Sequence, residues 1–283
     1  MCQAIVDLRL VNYCNNNCLY CLEKSLRKLS IWTNIDKRKL KNKSISIYGW
    51  NIFVCNGWKK ILKDLVDNNI KIFSIQTNGY WFKDEDINFL RNIWVRTINL
   101  KLHSLIPYKD YILAWRPKNY YSVKNKVRLI LKLLDSGFIV RVNYFVTKLN
   151  LIDLYKEFCV LYKIGIKDFD FIGPHPFDEV WDYKDIILID YMTNENKAIF
   201  NKFLEKLSLF MKKDKNLKIN FKKFPCSFFY NKNKSFCNLQ KTVIEQISEE
   251  DKEILNWKVK PYCYPKRCRY CFLQDICSIL NEI

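Results

Sequence analysis

The sequence predicts an α/β protein: a partial (βα)6 parallel barrel followed by a small cysteine-rich C-terminal module. Three observations carry that prediction. Six short runs with apolar or period-two patterning alternate with helical periodicity up to about residue 213, the pattern of consecutive βα units around a parallel sheet. Three cysteines, Cys14, Cys18 and Cys21, follow the first run, at the strand end where barrels of this kind place their chemistry. From about residue 217 the alternation stops and cysteines return, so the expected organisation is a barrel over 1–216 and a module over 217–283.

The elements follow in order. Ile5, Val6, Leu8, Leu10 and Val11 form the first strand, and residues 22–40 include a helix. Residues 44–48 alternate with period two and read as a strand; Trp58, Ile61, Leu62, Leu65 and Val66 then recur at helical spacing. Residues 70–77 are a strand closed by the turn signal Asn78-Gly79. Asp84 is placed to cap a helix carrying Ile87, Leu90 and Ile93, and residues 95–103 form the fourth strand. Residues 104–118 contain two prolines and read as a loop. The next helix carries Val123, Val127, Ile130, Leu131 and Leu134 on one face and ends at Gly137. Residues 138–146 are the fifth strand. Asn150 is placed to cap a helix that Gly165 ends, and residues 168–172 are the sixth strand. A long helix over about 193–213 completes the six units, and residues 217–221 are a short strand opening the module.

Composition bounds the class. Of 283 residues, 49% are hydrophobic and 16% aromatic, ample for a sizeable core and contrary to disorder. No run of 18 uncharged apolar residues and no signal-peptide pattern occurs, so the expectation is a soluble cytoplasmic protein without a membrane partner. In a reducing compartment the 12 cysteines are expected to serve metals rather than disulfides. The net charge of +19 permits a nucleic-acid partner, with basic clusters at Lys37-Arg38-Lys39 and Lys212-Lys213, although lysine, asparagine and isoleucine are overused along the whole chain.

The cysteine loop carries the chemistry. Thiolates spaced C-x3-C-x2-C converge on one small site, and soft sulfur ligands select zinc, copper(I) or iron–sulfur clusters. A closed zinc site needs a fourth ligand, and no His or Cys follows nearby, whereas a cubane held by three thiolates leaves one iron open. With Tyr20 directly before the third cysteine, this loop resembles the cluster loop of the radical S-adenosylmethionine (SAM) enzymes. The resemblance extends to Gln76-Thr77-Asn78-Gly79, which matches a strand-end Thr-Asn-Gly common in the family, and to Leu102-His103-Ser104, the Lys109-Asp110-Tyr111 loop and residues 143–150, which are similar to a subgroup that includes maturases of ribosomally made peptides.

The resemblance implies a [4Fe–4S] cluster on Cys14, Cys18 and Cys21 whose open iron chelates SAM. Reductive cleavage of SAM would yield a 5′-deoxyadenosyl radical that abstracts hydrogen from a substrate, the cofactor carrying the hard chemistry. It further implies SAM contacts from Tyr20 (backbone to adenine), from Thr77 and Asn78, and from Ser104 or Asn143 (ribose or carboxylate). One departure matters: where many members carry Gly-Gly-Glu-Pro, this chain reads Gly49-Trp50-Asn51-Ile52, leaving Gly49 and Asn51 as the candidates for the methionine amino group. Cys268-x2-Cys271-x5-Cys277, with Cys226 or Cys263 as a fourth thiolate, resembles auxiliary-cluster modules of the twitch or SPASM type and implies a second [4Fe–4S] cluster, with zinc on four thiolates as the competing occupant. Cys55 and Cys159 read as core residues, and His103 and His175 as structural histidines, with a proton-donor role open to one of them. The implied partners are a peptide substrate and an electron donor of flavodoxin or ferredoxin type; an RNA substrate is the alternative reaction class, and a degenerate metal- and nucleic-acid-binding protein the non-catalytic alternative.

Overall fold

A computed structural model describes residues 5–10, 14, 16, 18–19, 37–48, 51–114, 122–173 and 194–222. The chain divides into two compact units, 1–219 and 220–283, and the half-barrel lies in the first. Its strands are β1 (Ile5–Arg9), β2 (Ser44–Tyr48), β3 (Lys71–Thr77), β4 (Thr97–Leu102), β5 (Ile139–Phe145) and β6 (Asp168–Ile172), each hydrogen-bonded to the next in sequence order and parallel throughout. They curl into the expected half-barrel. A seventh strand, β7 (Lys218–Lys222), follows β6 in the sheet order.

The helices are α1 (Lys37–Leu40), α2 (Trp58–Asp67), α3 (Asp84–Asn92), α4 (Pro107–Ala114), α5 (Val123–Asp135), α6 (Leu154–Lys163) and α7 (Asn194–Lys213). Period-two alternation sorts the sheet into two faces. Ile45, Ile47, Ile98, Leu100, Val140, Val142, Phe169 and Phe171 are buried on one. Phe169 meets Phe158 of α6 at 5.0 Å and Phe171 meets Phe203 of α7 at 5.2 Å, so this face carries the core between sheet and helices. Burying aromatic side chains of this size stabilises by roughly 1.5–3 kcal/mol each.

The opposite face is polar. Ser46 and Ser74 share a hydrogen bond at 2.6 Å, Asn99 donates to Ser74 at 3.2 Å, and Arg141 donates twice to Asp168 at 2.9 Å. A closed eight-stranded barrel fills its interior with branched apolar side chains; hydrogen-bonded polar groups instead suit the wall of a space that takes a polar ligand.

Four local expectations change. The segment 104–118 is not all loop, because α4 occupies Pro107–Ala114. Pro107 sits in its first turn, where a missing N–H and a fixed φ favour helix rather than break it. The buried stripe of α5 is Val123, Lys126, Leu129, Ile130 and Leu133, while Leu131 is 40% exposed, so the stripe is rotated from the purely apolar reading to take in a lysine. Asp84 is the first residue of α3 rather than its cap; Lys83 precedes the helix and its backbone N–H donates to the Asp86 carboxylate at 2.9 Å. Asn150 caps no helix with its side chain and instead braces two strand ends. The stops at Gly137 (φ +82°) and Gly165 (φ +106°) are as expected, each in the left-handed conformation that follows a helix end.

Candidate functional site

Every described candidate of the N-terminal site lies at or just beyond the C-terminal edge of the sheet, except Asn143, which lies within β5. Cys14 and Cys18 follow β1 and are half-buried. Their sulfurs are faced by nitrogen. The Asn16 backbone N–H donates to Cys14 Sγ at 3.3 Å, Asn16 Nδ2 lies 3.8 Å from Cys18 Sγ, and Asn78 Nδ2 lies 3.9 Å from Cys14 Sγ. Asn78 also donates to Asn16 Oδ1 at 2.8 Å, so the loop after β3 holds the loop after β1. Tyr20, Cys21 and Gly49, and the C-terminal Cys226, Cys263, Cys268, Cys271 and Cys277, lie outside the described residues, as does His175. Among the described residues no three metal-ligating side chains come together.

Helix α4 anchors this loop from the other side. Leu19 N–H donates to the Leu113 carbonyl at 3.1 Å, and the Leu19 and Leu113 side chains form a buried cluster with Cys18, Ile112, Phe145 and Leu149 packed against it. Helix α4 also supplies Asp110, fully buried, whose carboxylate accepts from Lys126 Nζ at 2.7 and 2.8 Å and lies 3.1 Å from His103 Nδ1. Burial pushes the Asp110 carboxyl up, but the Lys126 charge and the hydrogen bond and charge of His103 outweigh it and hold the group well below the usual carboxylate range. On its other side His103 Nε2 reaches Cys18 Sγ at 3.4 Å.

The remaining candidates are braced. Asn51, buried after β2, donates to the Tyr80 carbonyl at 2.6 Å and accepts from the Thr77 hydroxyl at 2.9 Å; Thr77 in turn accepts from Gly79 N–H at 3.0 Å. The Asn51 carbonyl keeps a second lone pair. Ser104 donates to Glu157 at 2.5 Å and accepts from Ile106 N–H at 3.0 Å. Asn143 differs: it is 7% exposed and its Oδ1 has no hydrogen-bond partner among the described residues.

Sequence reasoning missed Asn16, Lys126, Asn150 as a brace, and Glu157, and named Asp110 only within a loop stretch, without its part in this cluster. Asn150 donates to the His103 carbonyl at 2.6 Å and to the Phe145 carbonyl at 2.7 Å, clamping the ends of β4 and β5 together. Glu157 on α6 accepts from Ser104, from Leu105 N–H at 2.6 Å and from the Tyr144 hydroxyl at 2.8 Å. The one signal in the sequence is a charge on a buried helical stripe, Lys126 on α5 and Glu157 on α6. Burial raises the Glu157 carboxyl above its ordinary value despite those three donors. A folded-state value above the unfolded one adds stability that is complete below the ordinary carboxylate range and lost as pH rises through the raised value. Thermal unfolding of the wild type, followed upward in pH from the ordinary carboxylate range, is therefore expected to show a decline that a Glu157→Gln chain lacks.

No family model and no curated protein matches the sequence. Solved structures do. The chain aligns with SuiB of Streptococcus suis bound to S-adenosylmethionine at TM-score 0.59 and 17% identity, over 81% of this chain and 52% of SuiB. It aligns with anSMEcpe with bound AdoMet at TM-score 0.61 and 17% identity, over 77% and 61% of the two chains. The chain has the fold of these radical SAM enzymes. It spans about half the length of SuiB. SuiB is also known with its precursor peptide SuiA bound, matched at TM-score 0.59, and anSMEcpe with AdoMet and the Cp18Cys peptide, at TM-score 0.57.

The donor set fits an iron–sulfur cluster as far as it is described. Cluster thiolates are acceptors, and nitrogen groups stand around both described sulfurs. Cys55 does not join them: it is buried after β2 and burial raises its thiol, which disfavours the thiolate a metal needs. Cys159 is half-buried on α6.

Proposed function

We propose that this chain is a radical SAM enzyme that acts on a ribosomally made peptide. The observation that carries the reading is the placement of Cys14 and Cys18, with nitrogen donors around both sulfurs, at the C-terminal edge of a half-barrel with this fold. Cys14, Cys18 and Cys21 hold a [4Fe–4S] cluster. When bound, that group supplies the electron that splits a sulfonium C–S bond of SAM and starts hydrogen abstraction.

The chain's own residues bind and orient. Asn143 Oδ1, buried and without a partner among the described residues, accepts a ribose hydroxyl of SAM. Between Ser104 and Asn143, the Ser104 hydroxyl already serves Glu157 and Ile106, which favours Asn143. Thr77 and Asn78 fix the loop edges on the SAM side, the Asn51 carbonyl and the Gly49 backbone receive the methionine ammonium, and the Tyr20 backbone meets the adenine. The polar sheet face of Ser74, Asn99, Arg141 and Asp168 lines the space for a peptide's polar groups. Peptide-bound SuiB and anSMEcpe favour a peptide over an RNA nucleotide. Cys226, Cys263, Cys268, Cys271 and Cys277 supply the ligands of an auxiliary [4Fe–4S] cluster, and a flavodoxin or ferredoxin donates the electron.

Anaerobic reconstitution with iron and sulfide tests the reading: the chain is expected to develop the broad thiolate-to-iron absorption of such clusters and an EPR signal that changes on adding SAM. A chain that takes up no iron and sulfide refutes it. Asn143→Ala is expected to weaken SAM binding to the reconstituted chain about tenfold, equivalent to one hydrogen bond of about 1.4 kcal/mol, as read by calorimetry. An unchanged affinity would remove Asn143 from the site.

A further inference from the structure

We propose that His103 is a positioning residue for the cluster, fixing the Cys18 sulfur and raising the cluster's reduction potential through a hydrogen bond from Nε2. The proposal rests on the reading of Cys14, Cys18 and Cys21 as cluster ligands, and deepens it.

The geometry comes from the fold. His103 is the first residue beyond β4 and is fully buried. Its backbone carbonyl accepts from Asn150 Nδ2 at 2.6 Å, which fixes where the residue sits. Its ring is fixed by Asp110, 3.1 Å from Nδ1, and Asp110 is clamped by both short contacts from Lys126. A carboxylate only accepts, so Nδ1 carries the hydrogen of that bond. The ring therefore turns Nε2 toward Cys18, with Nε2 and Sγ 3.4 Å apart. A metal-bound sulfur also only accepts, so the bond needs a second N–H, at Nε2, and the ring that makes both bonds is the imidazolium form paired with the Asp110 carboxylate. Outer partners held in this way orient a ligand and tune its metal.

The consequence is electronic as well as positional. Reduction adds negative charge to a cluster, part of it on the ligand sulfurs, and a hydrogen bond to a sulfur stabilises that form; such bonds are among the features that set iron–sulfur potentials. The Asn16 and Asn78 side-chain amides reach sulfur only at 3.8 and 3.9 Å. The line from Lys126 through Asp110 to His103 couples helix α5 to one cluster ligand. It gives a buried ionic group a task at the site rather than in stability alone.

The test is an EPR-monitored redox titration of the reconstituted full chain, following the signal that responds to SAM. His103→Ala is expected to shift the midpoint to more negative potential by about a tenfold change in the reduction equilibrium, about 59 mV for one electron. His103→Gln, whose amide also donates but carries no charge, is expected to fall between the wild type and His103→Ala. An unshifted midpoint in a His103→Ala chain with full iron content overturns the proposal. Should that variant fail to hold its cluster, the wild type labelled with 15N-histidine decides. The chain has only two histidines. Pulsed EPR of the reduced cluster is expected to show a 15N coupling that His103→Gln removes and His175→Gln keeps, and absence of that coupling in the wild type overturns the proposal. A wild type that assembles no SAM-responsive cluster instead overturns the functional reading beneath it.

Discussion

A Lys126→Met chain is expected to lose about 3–5 kcal/mol of unfolding free energy, the cost of breaking a buried ion pair from one side. Lys126 and Asp110 are both all but completely buried, on helices α5 and α4, and the ammonium contacts both carboxylate oxygens. With the ammonium gone, the carboxylate keeps its desolvation penalty and loses its strongest partner. The comparison variant is Lys132→Met on the same helix, whose partner Asp84 is 76% exposed; that loss is expected to stay within about 1 kcal/mol. Urea unfolding followed by circular dichroism measures both. The wild type also carries an acid signature: because Asp110 is held below its unfolded value, its contribution is present above the ordinary carboxylate range and lost as pH falls. A Lys126→Met chain as stable as the wild type would mean that the pair contributes nothing.

The second large effect is chemical. Cys18→Ala is expected to remove about four irons per chain and to reduce 5′-deoxyadenosine formation to background. The C-terminal cysteines are untouched by that change and keep whatever iron they hold, so the loss is partial in metal and complete in product. Cys18 is the described cysteine with most to lose, since its sulfur meets His103 and its side chain packs beside Leu19 and Leu113. Cys55→Ala is expected to leave iron content and product unchanged, because Cys55 is enclosed after β2 and its thiol turns to the neighbouring Asn56 carbonyl. Iron analysis beside product chromatography separates the two cysteines.

What the sequence disclosed depends on how local the cause was. The six strands declared themselves through alternation, and the glycine stops through the need for a left-handed residue after a helix, seen at Gly137 and Gly165. That Cys14 and Cys18 follow the first strand was legible because the strand's patterning and the cysteine spacing are both local properties. Helix α4 was hidden because proline ordinarily signals a loop, although proline in a first helical turn, as at Pro107, has the opposite meaning. That omission concealed the support of the site, since α4 carries both the Leu113 anchor and Asp110.

Lys126 was hidden for a different reason. An apolar-only reading of α5 selects Val127, Leu131 and Leu134, whereas the stripe that is buried takes in Leu133 and Lys126, the latter paired with Asp110. Asn150 follows an N-cap pattern yet serves two carbonyls on neighbouring strand ends, a role defined only once β4 and β5 are side by side. Contacts across 47 to 85 residues, such as Asn150 to His103 and Cys18 to His103, leave no mark in a local window.

If this half-barrel cleaves SAM at its first cysteine loop, one measurement shows it most directly. The reconstituted chain is reduced with dithionite under anaerobic conditions, supplied with SAM, and assayed for 5′-deoxyadenosine by chromatography and mass spectrometry. The wild type is expected to form it in a reaction dependent on both reductant and SAM, and Cys14→Ala, Cys18→Ala and Cys21→Ala are each expected to abolish it. A wild type fully loaded with iron and sulfide that forms no 5′-deoxyadenosine, or a Cys18→Ala chain that still does, would contradict that cleavage.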